Sequence, residues 1–246
     1  MANEAFRIDS FSQGLTEVSA TKRAMAGQYR LLPDGRAFRY GKSAGAIVAG
    51  SACTMAEAVA DHFAQVQTGY TNAVGSTTVS VLVTGAGTAV TANQYDDGYL
   101  QMYDGAAGTV GRQYQIDSHT TGASSSVAIT VQLRDPLVVA TIATDTFSLI
   151  PNPWSLVIEN AGTKEKNFAG VAMAAASGAG YWLWFQTHGP AIVKGEATPA
   201  VGSALGISDT AKELEIAAAY TDSIVGQVWE IAQVADKWTP VFLKLD

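Results

Sequence analysis

The stretch that most constrains this chain is 170–193, GVAMAAASGAGYWLWFQTHGPAIV. A run of small residues leads into Tyr181, Trp182, Leu183, Trp184 and Phe185, and the pattern predicts a strand that stops at Gly189-Pro190. Strand side chains alternate between faces, so Tyr181, Leu183 and Phe185 share one face and Trp182 and Trp184 the other. Both faces are large and apolar. Such a strand has to be covered on both sides, by a second sheet, a barrel interior or a partner subunit. Aromatic side chains bury roughly 150–250 Å² each, so the core of a C-terminal domain is expected to form here, with Trp229 joining it and Trp238, which follows an Asp-Lys turn, either joining it or partly exposed. Tyr181, Trp182, Trp184, Phe185 and Trp229 are the candidate core or oligomer-interface residues.

The remaining pattern is also β. Thr77, Val79, Val81 and Val83 alternate with Thr78, Ser80, Leu82 and Thr84, and Val127, Ile129, Val131 and Leu133 alternate with polar or small residues. These are half-buried strands with one apolar face. Shorter strands between them are punctuated by Asp97-Gly98 and Asp104-Gly105, pairs that favour hairpin turns because they tolerate positive φ. One helix is expected at about 54–67: Thr54 with Glu57 makes a capping-box pattern, and Met55, Val59, Phe63 and Val66 fall near helical spacing. Two prolines at Pro151 and Pro153 cannot lie in a central strand and mark a boundary. The fold class read from this is mainly β, as β-sandwich or β-barrel domains with one short helix and an extended N-terminal arm. The divisions are 1–45 for the arm, 46–153 for a β-rich domain and 154–246 for a C-terminal barrel or sandwich.

Charge is uneven along the chain. The net charge is −7, which argues against a general nucleic-acid binder. Residues 1–42 nevertheless hold seven of the fifteen basic residues (Arg7, Lys22, Arg23, Arg30, Arg36, Arg39 and Lys42) against four acidic ones, leaving +3 there and −10 elsewhere. No sustained periodicity runs through 1–45 beyond a short hairpin around Pro33-Asp34-Gly35. An arm that contacts an acidic partner is the expectation, with Arg7, Lys22, Arg23, Arg30, Arg36 and Arg39 as its contact residues. The single Cys53 leaves no internal disulfide framework. The opening MANEAFRIDS is acidic and lacks the apolar centre of a secretion signal, and no apolar run nears the ~20 residues of a membrane helix.

Catalytic and metal chemistry find little footing. His62 is read as a surface position of the helix. His119 lies in Asp117-Ser118-His119, the residue types of a hydrolytic triad, but triads are assembled from separate segments and neighbours on a strand face opposite ways. His188 is read as a turn hydrogen-bonding residue. No Cys/His pair has metal-site spacing, and the Gly-rich stretches lack the helix and Lys that a phosphate loop needs. Asp96, Asp97 and Asp104 lack the regular spacing of a calcium loop. No enzyme activity, cofactor or metal is expected.

Several segments together do carry a resemblance. Thr91-Ala92-Asn93-Gln94-Tyr95, Arg112 to His119, Leu133-Arg134-Asp135-Pro136-Leu137, Ser148 to Pro153, and Tyr181 to Ala191 look like structural proteins of tailed bacteriophages. The last of these, with Gly170-Val171-Ala172 before it, is similar to a β-barrel pattern of head-decoration and other virion proteins. The resemblance covers about residue 90 to the C-terminus and implies a capsid decoration (cement) protein. Its partners would be the major capsid protein and other copies of itself, as a dimer or trimer, with no nucleic acid and no membrane. It would be made in the bacterial cytoplasm and end on the virion surface. A tail or head fibre module that binds a receptor or glycan is the alternative.

Overall fold

A computed structural model describes residues 12–83, 88–105, 110–123, 127–164, 166–195, 200–217, 223–230 and 237–246. The chain is nearly all β, as the alternating patterns require, and no described helix reaches seven residues. It divides into two compact units. An outer unit joins Met1–Cys53 to Ile158–Asp246, and an inserted unit spans Thr54–Val157. The sequence reading divides the chain after 45 and after 153; the divisions between these units fall after Cys53 and after Val157.

Strands β1 (Tyr29–Leu31) and β2 (Ala37–Lys42) form the hairpin expected around Pro33-Asp34-Gly35. Gly35, at φ +85, turns the chain, and the Leu32 N–H donates to the Arg36 carbonyl at 2.9 Å. The extended arm expected over 1–45 is corrected over its described part, residues 12–45. Phe38 and Tyr40 are completely buried, and Gln13 is 3% exposed. Gln13 ties the preceding segment down: its Nε2 donates to the Trp182 carbonyl at 2.8 Å, its Oε1 accepts from Tyr40 Oη at 2.7 Å, and its own carbonyl accepts from Trp184 Nε1 at 3.3 Å. A segment whose backbone and apolar side chains find partners in its own unit gains nothing by extending. Arg7 lies outside the described residues. Strand β3 (Ala52–Thr54) closes this first part.

The inserted unit begins with a second correction. Where a helix is expected at 54–67 there is only a 3-10 turn, Ala60–His62. Thr54 already ends a strand and cannot cap, the Ala56 N–H donates to the Pro153 carbonyl at 2.9 Å, and Ala64 takes φ +52. Long-range hydrogen bonds have overridden a local helical pattern. The chain instead enters β4 (Gln65–Val66), followed by β5 (Thr78–Val83), β6 (Tyr99–Asp104), β7 (Gln113–His119), β8 (Val127–Leu133) and β9 (Thr146–Ile150). They form one antiparallel sheet in the order β4-β9-β6-β7-β8-β5.

The alternation read from the sequence sets its register. Val79, Val81 and Val83 pair with Val131, Ile129 and Val127, and the apolar face is buried with Leu100, Ile116 and Phe147. Side-chain amides protect the free edge of β5. Gln67 both donates to the Leu82 carbonyl, at 3.1 Å, and accepts from its N–H, at 2.6 Å. Asn72 does the same at Ser80, at 3.2 and 2.8 Å. An amide offers the same donor and acceptor as a peptide, so these two residues occupy an edge that would otherwise invite another chain.

The outer unit resumes with β10 (Ile158–Glu159), β11 (Phe168–Ala172), β12 (Trp182–Gly195), β13 (Ala204–Ile207), β14 (Leu214–Ile216), β15 (Gly226–Val228) and β16 (Lys237–Lys244). The strand expected to stop at Gly189-Pro190 continues through both residues. A bulge between Gln186 and His188, with Gly189 at φ +84, lets β12 change partners along its length. Its first half lies between β2 and β11, and its second half pairs with β16 from His188 to Gly195. From there the path β12-β14-β13-β15-β16 returns to β12, closing a five-stranded barrel. Val193, Leu205, Leu214, Val228, Val241 and Leu243 fill it.

Candidate interaction surfaces

The two tryptophans of the opening strand are core residues. Trp184 is fully buried and Trp182 is 8% exposed. Register places Lys42 opposite Trp182 and Tyr40 opposite Trp184. Tyr40 stacks on Trp182 with centroids 5.4 Å apart and meets Trp184 at 4.9 Å. The cover required for this face therefore comes from the same chain. Phe185 is buried on the other face, and Tyr181 is half-buried just before the strand.

The cations first read as an arm decorate this cluster. Lys22 and Lys42 lie over the Trp182 ring, 5.6 and 5.8 Å from its centroid, and Arg30 lies 5.5 Å over Trp184. A cation over an indole face is held by the ring quadrupole. Arg36 pairs with Asp34 at 2.7 Å. Arg39 stacks over Tyr29 at 4.7 Å and pairs with Asp246 at 2.8 Å, which fastens the C-terminal end to β2. Arg23 is exposed beside them, its N–H donating to Tyr40 Oη at 3.2 Å. Of the six contact candidates, the five described ones thus lie on or beside a folded sheet.

Trp229 was expected in the core or at an oligomer interface, and its exposure removes the core alternative. Trp229 is 50% exposed and Trp238 46%. Both line an open groove of about 720 Å³ on the outside of the barrel, together with Ile192, Pro240, Gln186 and Arg36. Trp238 is held in place. A Cβ at Gly50, whose φ is +80, would stand 2.3 Å from the indole ring, so the ring lies directly on backbone. Trp238 precedes Thr239, Val241 and Leu243, whose side chains fill the barrel, so alternation already assigned it to the outer face.

His62 of the inserted unit is a further correction. His62, expected on a surface, is completely buried, and so is Tyr95. His62 Nε2 faces the Thr88 carbonyl at 3.0 Å, an acceptor, so this nitrogen carries the hydrogen and Nδ1 accepts from Tyr95 Oη at 2.5 Å. Burial pushes the Tyr95 phenol far above its usual range, which keeps that proton on oxygen. His119 is read the same way. Its Nδ1 donates to the Thr120 carbonyl at 2.8 Å, and its Nε2 accepts from the Tyr95 N–H at 2.9 Å. Both ring nitrogens of His119 are taken, and Asp117 lies 3.6 Å from Arg134, so the three triad residue types form no relay. His188 lies within β12 rather than at a turn and packs edge-on against Phe242, with centroids 5.5 Å apart. Cys53 is buried, which pushes its thiol well up. Among the described residues no three of His, Cys, Asp and Glu converge as a metal site.

This arrangement predicts acid sensitivity. Burial holds the His119 pKa below its ordinary value of 6.5, outweighing the Thr120 carbonyl and the charge of Asp96, which raise it, while nearby His62 lowers it further. The unfolded chain therefore takes up the proton first. The contribution is whole above pH 6.5 and is lost as pH falls from there to the depressed native value. The midpoint of urea unfolding should fall with pH below 6.5, with a slope of up to about 1.4 kcal/mol per pH unit from this site. His119→Gln, which can accept from the Tyr95 N–H but takes no proton, should flatten that slope. An unchanged slope would remove His119 as its source.

Compared with known proteins, the chain matches no family model, and no curated protein or solved structure is similar to it.

Proposed function

We propose that this chain is a decoration (cement) protein of a tailed-bacteriophage head, which binds the outer surface of the shell and braces contacts between major capsid subunits. The reading rests on the segment resemblance and is carried by one observation. Lys22, Arg30 and Lys42 are fixed over the buried Trp182–Trp184–Tyr40 cluster. Cations already held in place lose little side-chain freedom on docking, so more of the charge attraction survives as affinity. The partner surface would be acidic. Copies arranged around a symmetric shell, as dimers or trimers, would turn individually modest contacts into strong retention.

The test is the copy number of the protein in purified virions, by quantitative mass spectrometry against the major capsid protein. A number comparable to the capsid protein is expected; a handful of copies would instead point to a tail or fibre module. In a binding assay with stripped capsids, Lys22→Glu with Arg23→Glu and Lys42→Glu should weaken attachment at least about tenfold at low salt. Undiminished attachment would overturn the proposed face.

A further inference from the structure

We infer that the groove between Trp229 and Trp238 is a carbohydrate-binding site. A closed barrel normally turns polar residues outward, because its apolar side chains face the interior. Here the outer wall of β12 and β16 carries Ile192 at 55% exposure, Pro190, Pro240 and Trp238, with Trp229 beside them. At about 720 Å³ the groove is within the range of small-molecule sites.

Two features make it a built site rather than a bare apolar patch. The Trp238 ring is immobilised on the backbone of Gly50, which leaves a half-exposed indole face already oriented. The second is Gln186, which lines the groove although it is only 3% exposed. Its Nε2 donates to the carbonyls of His188, at 3.0 Å, and Pro190, at 2.7 Å, which fixes which end of the amide is nitrogen. Its Oε1 receives no hydrogen bond from any described residue and is not sealed from solvent. An acceptor that stays accessible on a fixed amide, beside exposed aromatic rings, favours a ligand that brings a donor.

Sugars match both features. A pyranose has a C–H face that packs flat on an indole, and an edge of hydroxyls that can donate to Gln186 Oε1 and accept from the Arg36 guanidinium. A proline-rich peptide would suit the tryptophans, but proline has no N–H and would leave Gln186 unanswered. The site does not depend on the capsid reading, because Trp229, Trp238 and Gln186 take no part in the cation-covered cluster.

The experiment titrates the full chain with soluble oligosaccharides of glucose, N-acetylglucosamine, galactose and mannose, followed by tryptophan fluorescence and calorimetry. At least one should give saturable binding at micromolar to millimolar concentration. Trp229→Ala and Trp238→Ala should each weaken it about tenfold or more, as loss of an aromatic anchor does. Both side chains are half-exposed, so the melting temperature should hold, and Gln186→Met reports on the hydroxyl contact. Absence of binding by every sugar, binding that both tryptophan variants retain, or occupation of the groove by a polyproline peptide alone would each overturn the inference. Capsid copy number is read separately, so neither result is mistaken for the other.

Discussion

A chain that begins at Gly45 should fail to fold its outer unit. The missing residues supply β1 and β2, and β2 is the ladder partner of β12 from Trp182 to His188. They also supply Phe38 and Tyr40, both fully buried against Trp182 and Trp184. Removing them would expose two indoles and the backbone edge of the longest strand together. The single change Tyr40→Ala takes out the centre of that cluster and should cost about 3–5 kcal/mol, the usual range for losing a large core aromatic. It also leaves Gln13 Oε1 without its 2.7 Å donor. Urea unfolding followed by tryptophan emission would show an earlier midpoint for Tyr40→Ala. The truncated chain should show red-shifted emission and bind a hydrophobic dye. A soluble truncation with native emission and a cooperative transition would mean that 12–42 is an arm after all.

What the sequence made legible follows the range of each interaction. The alternation at 77–84 and 127–133 reports which face of a strand is buried, a property of neighbouring residues, and both became strands in the matching register. Asp34-Gly35 encodes a local turn and made one. The doubly apolar strand was correctly read as needing cover on both faces. Its cover on the tryptophan face was not legible, because it comes from 13–42, a segment whose apolar residues are sparse and lack periodicity. The helix failed for the same reason in reverse. Its pattern was local, while the bonds that replaced it reach from Ala56 to Pro153 and from His62 to Tyr95.

The candidate surfaces were only half visible. Trp229 and Trp238 were noticed as aromatics and read first as core, with an interface or partial exposure left open, although the alternation Trp238, Pro240, Phe242 against Thr239, Val241, Leu243 already sorted outward from inward. Gly50, Arg36 and Gln186 could not be joined to them, since nothing in the order of residues reports that five distant segments meet at one groove.

Breaking the Lys194–Glu213 pair is the remaining large effect. Glu213 is fully buried, one carboxylate oxygen is bonded to Lys194, and the other finds no partner among the described residues. Lys194 is partly solvated, with about a third of its side chain exposed. Lys194→Met would leave a carboxylate without its counter-charge in the barrel wall. Because solvent reaches the lysine, the expected cost is the lower end of the range for a broken buried pair, about 3 kcal/mol. Adding Glu213→Leu should restore most of that loss, since a buried pair replaced on both sides by apolar groups is often neutral. A double-mutant cycle in urea therefore predicts strong coupling, and additive costs would show that the two side chains do not depend on each other. The location explains why so expensive a pair would persist. Lys194 is the penultimate residue of β12 and Glu213 precedes β14, and among the described residues these strands pair at Gly195 with Leu214, a parallel contact that completes the barrel. A short ladder has little power to fix its own register. An ion pair across that seam penalises any slip that would separate the charges, so it contributes to which closure forms as well as to how stable the closed barrel is.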